Sequence, residues 1–305
     1  MKAHERFKDY KGNKCWQAHV ADVNLKEDLE KLASAGDGNF CGLRTSDFIF
    51  EYVDKADKAG CAEIKAFIER HEWLGSLPNR PTHRFIARWN GHLAGAVIMG
   101  TPNTFSHLLG PEMRHQEKLI SRGACISWAP KNLASWMLSR SMKWMVKNTE
   151  FRIFTAYSDP EAKELGTIYQ ALNFFYLGQS SGTNKLYFDP ARPDLGWFCS
   201  RNFRHISKYH RYAREIGMPN LWKDNPNYMG KYSPNWKIVP PEIKSSLKAQ
   251  ERAYQASCIE RTASNKHKYA YILGEIPSET KRLRKLFAEL NPEMVGFEYP
   301  KQRGV

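Results

Sequence analysis

HRFIARWNGHLAGAVIMG, residues 83–100, places two β-prone runs either side of Asn90-Gly91. Asn-Gly is the pair favoured by a two-residue type I′ turn, whose central residues both need positive φ, so the stretch predicts an antiparallel hairpin. Upstream, Leu25–Ala35 reads as a helix ended by Gly36-Asp37-Gly38, and Ala62–Trp73 as a helix with Ile64, Phe67, Ile68 and Trp73 on one side. Downstream, GACISWA (Gly123–Ala129) reads as a strand. Past Pro130, Leu133, Trp136, Met137, Trp144 and Met145 recur at helical spacing to near Asn148. FRIFTAY (Phe151–Tyr157) is a short apolar strand, Glu161–Leu172 a helix, and NFFYLGQ and NKLYFD two closing strands. This order predicts an α/β fold, a mixed sheet with helices on its faces.

Residues 1–60 read as a mixed amino-terminal extension, 61–200 as the sheet domain and 201–305 as a basic, α-rich carboxy-terminal extension packed on it. SRNFRHISKYHRYAREIG predicts a helix closed by Gly217, with Arg201, Arg204, Lys208 and Arg211 as a stripe. A Pro/Asn/Trp/Tyr-rich segment follows, then a helix over Glu242–Ala256, a strand HKYAYIL, and a basic helix from an expected N-cap at Ser278 to Leu290.

The chain carries 46 Lys and Arg against 32 Asp and Glu, a net charge of +14. Residues 201–305 hold 20 basic and 10 acidic residues, and so most of the excess. A polyanionic partner accounts for such a concentration, because basic residues replace the counterions condensed on a phosphate backbone. The bland alternative is a merely basic surface. Lys281, Arg282, Arg284 and Lys285 on the last helix carry the same two readings. The interleaved Tyr209, Tyr212, Trp222, Tyr228, Tyr232 and Trp236 favour nucleic acid, as surfaces on which an extruded base stacks. No apolar run approaches the ~18 residues of a membrane span, and the amino terminus lacks a secretory apolar core, so a cytoplasmic protein is expected. The six cysteines are scattered without a C-x-x-C pair, and the histidines show no H-x-x-x-H spacing, so no metal is expected.

The predicted sheet resembles the N-acetyltransferase (GNAT) fold, in which two central strands splay apart and the acyl donor lies in the gap. In that fold a Q/R-x-x-G-x-G/A loop opens the following helix and cradles pyrophosphate on backbone N–H groups. Here the place is taken by APKNLASWML, with no glycine between Gly123 and Glu161. Close backbone approach to phosphate usually needs glycine, which argues against routine acetyl-CoA use.

That departure, with several motifs in order, resembles the phage Mom family of GNAT-like DNA adenine-modification proteins. The motifs are the WNGHLAG hairpin, Arg122 followed by PKNLASWML, a strand ending in Asp159, GTIYQA, and a late HKYAY strand with Tyr299-Pro300-Lys301. The resemblance implies Arg122, Ser135, Asp159 and Tyr169 as catalytic residues, and Lys131, Asn132 and Ser135 as donor-binding residues. Where the family tends to have a His/Tyr pair, this chain has His71-Glu72-Trp73.

Each residue has a second reading. Asp159 can simply cap the following turn, with Pro160 in the favoured first position. As a carboxylate at the end of a central strand it can instead orient, or take a proton from, an adenine amine. Tyr169 at helical spacing suits a core, and equally an acid or donor-positioning role. Ser135 suits local capping or donor binding. Arg122 is a strand-edge charge or a fork facing an anion.

The expected function is transfer of a carbamoylmethyl (acetamido) group to adenine N6 in double-stranded DNA, protecting it from restriction. The expected partners are DNA and a small-molecule group donor, either acetyl-CoA or another acyl- or glycyl-type donor; a homodimer is compatible with this and no membrane is implied. Two rivals stand beside it: an acyl-CoA-dependent N-acyltransferase acting on a hypermodified base or other amine, and an inactive GNAT scaffold that binds DNA or belongs to a virion.

Overall fold

The computed structural model describes residues 7, 10–38, 40–78, 80–180, 184–230 and 233–301. Helix α1 (Trp16–Ser34) starts well before the predicted point and ends where Gly36 turns left-handed at φ +85°. Strand β1 (Ile49–Val53) was not visible in the sequence pattern. Helix α2 (Lys58–His71) begins at Asp57, whose carboxylate accepts the Gly60 N–H at 2.8 Å. Strands β2 (Pro81–Trp89) and β3 (His92–Gly100) form the predicted hairpin, with φ +46° at Asn90 and +82° at Gly91. Its tip is tied to Asp37, which accepts from Asn90 Nδ2 at 2.9 Å and meets His92 Nε2 at 2.8 Å.

Strand β4 (Glu117–Cys125) ends near where the sequence pattern suggests that a strand begins, because pairing with β3 runs from Leu119 to Cys125. Helix α3 (Leu133–Asn148), strand β5 (Ile153–Ser158), the short helix α4 (Thr167–Ala171) and strand β6 (Phe175–Gln179) follow. The helix expected over Glu161–Leu172 is broken. Pro160–Ala162 is a single 3₁₀ turn, and left-handed residues at Lys163 (φ +58°) and Gly166 (φ +64°) separate it from α4.

The next strand leaves the sheet. NKLYF is β7 (Asn184–Phe188), which pairs with β8 (Phe198–Cys199) and β9 (Ile259–Ala263). Between them lie α5 (Ile206–Glu215), α6 (Leu221–Asp224) and α7 (Pro241–Ala256). Strand β10 (His267–Ile272) and helix α8 (Pro277–Leu290) then return. The N-cap of helix α8 is Ile276, with Pro277 in the first helical position, instead of the expected Ser278.

The chain thus divides into one unit of Tyr10–Ser181 with Asn265–Val305 and another of Met1–Asp9 with Gly182–Ser264. The boundaries lie away from the expected 60 and 200, and residues 201–305 are shared between the units. In the larger unit the strand order is β1-β2-β3-β4-β5-β10-β6, antiparallel throughout except between β4 and β5. Alternation along the strands feeds both faces. Phe85, Ala87 and Phe154 meet Met137, Leu138 and Met142 of α3, while Ile86 and Ile98 meet Ile64 and Ile68 of α2. Ile153, Ala270 and Ile272 meet Leu283 and Phe287 of α8. Each such buried aliphatic or aromatic side chain stabilises by about 1.5–3 kcal/mol, so both faces of the sheet are core. The smaller unit has its own core, centred on Phe203, Tyr209, Tyr212, Leu247 and Tyr254.

Candidate active site

The parallel ladder between β4 and β5 holds only Glu117–Leu119 against Ile153–Thr155. β4 then runs on to Cys125 paired with β3, and β5 to Ser158 paired with β10, so the two part company towards their carboxyl ends. This is the splay that the resemblance to the N-acetyltransferase fold implied. Crevices for ligands in open α/β sheets lie beyond the carboxyl ends of such strands. Asp159 follows β5 directly, and Arg122 lies on the diverging half of β4, opposite Ile98.

Asp159 is buried and divides its two oxygens. Oδ1 accepts the Glu161 N–H at 3.1 Å, the capping role, and Oδ2 pairs with Lys266 Nζ at 3.0 Å. The backbone N–H of Asp159 donates to Glu164 Oε2 at 3.1 Å, while Glu164 Oε1 accepts from Trp73 Nε1 at 2.9 Å. The left-handed Lys163 folds the chain back so that Glu164 reaches these donors. Burial pushes the Glu164 carboxyl up to about 7. The adjacent Asp159 and Glu72 carboxylates push the same way, against the pull of the two N–H donors.

Arg122 is held by carbonyls: Nε donates to Ser76 O at 2.8 Å and Nη1 to Ser121 O at 2.6 Å, with Glu72 Oε2 4.0 Å away. Burial lowers its pKa while Glu72 opposes the shift. Glu72 itself is buried and accepts the Gly75 N–H at 3.0 Å. The Tyr169 ring packs against Tyr269 and Phe174 at centroid distances of 5.1 and 5.3 Å. Burial, reinforced by Glu164, Tyr269 and Glu72, drives its phenol well above the usual value, so it stays protonated at neutral pH. Its hydroxyl makes no hydrogen bond among the described residues. Arg122, Asp159 and Tyr169 therefore share one electrostatic neighbourhood, joined through Glu72 and Glu164.

Ser135 and Asn132 fall in a different feature. Ser135 Oγ donates to Asn132 O at 3.1 Å, the local bond of a first helical turn. Both line an open groove of about 730 Å³ with Trp136, Arg140, Lys143 and Trp144 of α3. The Arg140 guanidinium sits 4.6 Å from the Trp136 ring centre. Lys131 is exposed in the preceding turn and does not line the groove.

The basic residues divide too. Arg201, Arg204, Lys281, Arg282 and Lys285 are exposed. Lys208 Nζ donates to Tyr254 Oη at 3.4 Å, and Arg211 lies 3.9 Å over the Tyr254 ring while pairing with Glu215 at 3.1 Å. Arg284 Nε donates to Ile272 O at 3.1 Å and covers Tyr271. These three are thus packing residues, not a free cationic stripe. Tyr209, Tyr212 and Trp222 are buried core, and Tyr228 and Trp236 pack on it, so they are not open stacking surfaces. Tyr232 lies outside the described residues.

Sequence reasoning missed Glu164, Lys266 and the part played by Glu72 and Trp73. The one available signal was the departure at His71-Glu72-Trp73, which replaces a family tyrosine with a carboxylate and an indole. Among the described residues no three His, Cys, Asp or Glu side chains gather to hold a metal, and no helix is long and apolar enough to cross a membrane.

A mostly antiparallel sheet whose one parallel pair of strands splays apart is the framework of a GNAT-like fold. The chain belongs to the Mom protein family, whose profile matches residues 53–211. Among solved structures it is similar to the ribosomal-protein-S18-alanine N-acetyltransferase of Escherichia coli, at 13% identity and a TM-score of 0.32, over 47% of this chain and 84% of that one. It is also similar to a GCN5-related N-acetyltransferase from Kribbella flavida, at 9% identity and a TM-score of 0.38, over 76% of this chain and 73% of that one. Overlap this loose says nothing of activity. No curated protein matches the chain.

Proposed function

We propose that this protein transfers a carbamoylmethyl (acetamido) group to the exocyclic N6 amine of adenine in double-stranded DNA, and that the modified base shields the DNA from restriction endonucleases. The observation that carries the reading is the family match over residues 53–211, which takes in Arg122, Ser135, Asp159 and Tyr169. The acceptor amine enters between the diverging ends of β4 and β5. Asp159, fixed by its turn and by Lys266, accepts a hydrogen bond from the amine and orients it. Tyr169 keeps its proton at neutral pH and supplies it as a hydrogen-bond donor to charge developing on the donor group. Arg122, anchored on two carbonyls, sets a fixed positive charge beside them. A small acyl- or glycyl-type donor supplies the group, with Ser135 in the first turn of α3 and Asn132 at its N-cap as its outer contacts.

The N6 amine of a paired adenine is occupied within the duplex, so the base must leave the stack to react. The exposed Arg201, Arg204, Lys281, Arg282 and Lys285 suit phosphate contact, which positions DNA without reading its sequence. The test is mass spectrometry of nucleosides from plasmid DNA of cells expressing the protein. The expected result is a new adenosine derivative heavier by one carbamoylmethyl group, accompanied by resistance of the plasmid to cleavage. Unmodified adenosine in cells that hold the folded protein would sink the reading.

A further inference from the structure

The outward face of α3 is cationic. Between Glu117 and Glu150 the chain has six basic residues and no acid. Four of the six, Lys131, Arg140, Lys143 and Lys147, are exposed, and among the described residues none of these four forms an ion pair. Arg140 and Lys143 open into the groove of about 730 Å³, whose lining, among the described residues, includes no carboxylate. The groove follows α3 from Asn132 to Trp144, about 18 Å at the helical rise. Asn132 comes a short turn after the end of β4 at Cys125, and Trp144 meets His83, whose partner Met99 pairs with Ile120 in the first half of β4. The groove therefore leads away from the opening between β4 and β5. Its two indoles are braced: Trp136 meets Phe50 edge-on at 6.0 Å, and Trp144 stacks on Tyr52 at 4.2 Å. A small acyl donor has no use for such a length of cationic and aromatic wall.

We propose that this groove binds unpaired DNA, the nucleotides that flank the extruded base on its own strand. This rests on the DNA-acting reading above. Arg140 and Lys143 neutralise phosphates, and the hydroxyls of Ser139 and Thr45 beside them suit the same oxygens. Trp144, and Trp136 with the Arg140 guanidinium 4.6 Å from its ring centre, supply flat surfaces on which bases stack. Asn132 and Ser135 stay at the transfer end. A duplex keeps its base faces stacked on one another, so it offers the cations its phosphates but the indoles nothing. An opened strand offers both. Binding here favours open over paired DNA and so offsets part of the cost of extruding adenine.

Two measurements on the full chain test this. Fluorescence anisotropy at several salt concentrations compares a single-stranded oligonucleotide with a duplex of the same sequence, for wild type and R140Q/K143Q. Photocrosslinking with an oligonucleotide carrying 5-iodouracil maps the contact by mass spectrometry. The expected results are tighter binding of the single strand by wild type, and a loss of about ten-fold in R140Q/K143Q with a salt slope flatter by about 1.4, two phosphates at about 0.7 each. Crosslinks should fall in the tryptic peptides 132–140 and 144–147, which hold Trp136 and Trp144. Single-strand affinity within about two-fold of wild type in the double variant overturns the proposal, as do crosslinks confined to other peptides. Equal loss for duplex and single strand overturns it too, by making the face a backbone contact alone. Displacement of the oligonucleotide by AMP assigns the groove to a nucleotide-type donor instead, and equally overturns it. Should R140Q/K143Q fold poorly through loss of the guanidinium–indole contact, K143Q alone should flatten the slope by about 0.7, and an unchanged slope overturns the proposal. None of these readouts needs the transfer to occur. Unmodified adenosine beside the expected binding therefore counts against the chemistry and not against the groove.

Discussion

Asp159 can be tested so that its two duties separate. Asparagine caps helices and turns about as well as aspartate, so Asp159→Asn keeps an oxygen for the Glu161 N–H and should change stability by less than about 1 kcal/mol. It removes the charge opposite Lys266, and modification should fall by about 10²-fold or more. An unchanged melting temperature with lost modification assigns the carboxylate to chemistry; equal loss of both assigns it to the turn. Glu164 makes a prediction about stability as well. Its carboxyl is raised from 4.5 to about 7 by burial and its acidic neighbours, so the folded state binds more protons than the unfolded chain across that window. Its contribution is therefore fully present below the unfolded value and is lost as pH rises towards 7, by an order-of-magnitude total of about 2–3 kcal/mol. Thermal melts between pH 4.5 and 8 should show wild type losing stability with a steeper slope than E164Q; parallel slopes would refute the shift. Asp159 was legible in the sequence because a carboxylate before proline at a strand end has a recognisable pattern. Glu164 was not, because its environment comes from Trp73 and Glu72, distant in sequence and adjacent only once the sheet has formed.

The turn between β5 and α4 shows what periodicity conceals. Read as one helix over Glu161–Leu172, the segment would hold Glu164 and Tyr169 on a continuous cylinder. Instead Lys163 and Gly166 take left-handed conformations and split it. Gly166 is required twice over. Its φ of +64° disfavours any side chain, and a Cβ there would lie 2.6 Å from the Tyr269 ring, whose hydroxyl donates to Leu165 O at 2.7 Å. Gly166→Ala should therefore cost about 1–3 kcal/mol by chemical denaturation and displace Tyr269, with modification falling alongside. A variant as stable as wild type would contradict that account. By contrast the hairpin was fully legible, since Asn90-Gly91 specifies its own turn locally. The fate of NKLYF and HKYAYI was not. Both strands have the apolar alternation of a sheet, and nothing in either run says which of the two sheets it joins.

That ambiguity is resolved by the whole chain. β6 ends at Gln179, and 83 residues of the smaller unit, Gly182–Ser264, intervene before β10 enters the sheet between β5 and β6. The two points where the chain leaves and returns are hydrogen-bonded to each other: Ser180 N–H donates to Lys266 O at 2.8 Å, and Lys266 N–H to Ser180 Oγ at 3.2 Å. Adjacent ends and a separate core are the conditions under which an insertion is dispensable to its host. Replacing residues 182–264 by a short Gly/Ser linker should leave a cooperatively folding sheet unit that keeps β10 between β5 and β6. The deletion also removes the exposed Arg201 and Arg204 while Lys281, Arg282 and Lys285 remain on α8. If both sets bind phosphate, the dependence of duplex binding on salt should flatten by about 0.9 in slope for each phosphate no longer neutralised. Removing the half-buried pair Lys208 and Arg211 from the intact chain should do something else, lowering the stability of the smaller unit through their packing on Tyr254. Fluorescence anisotropy on a duplex at several salt concentrations, alongside thermal melts, separates the outcomes. A salt slope unchanged by the deletion would assign all of the phosphate binding to the sheet unit and leave the inserted unit without a part in DNA binding.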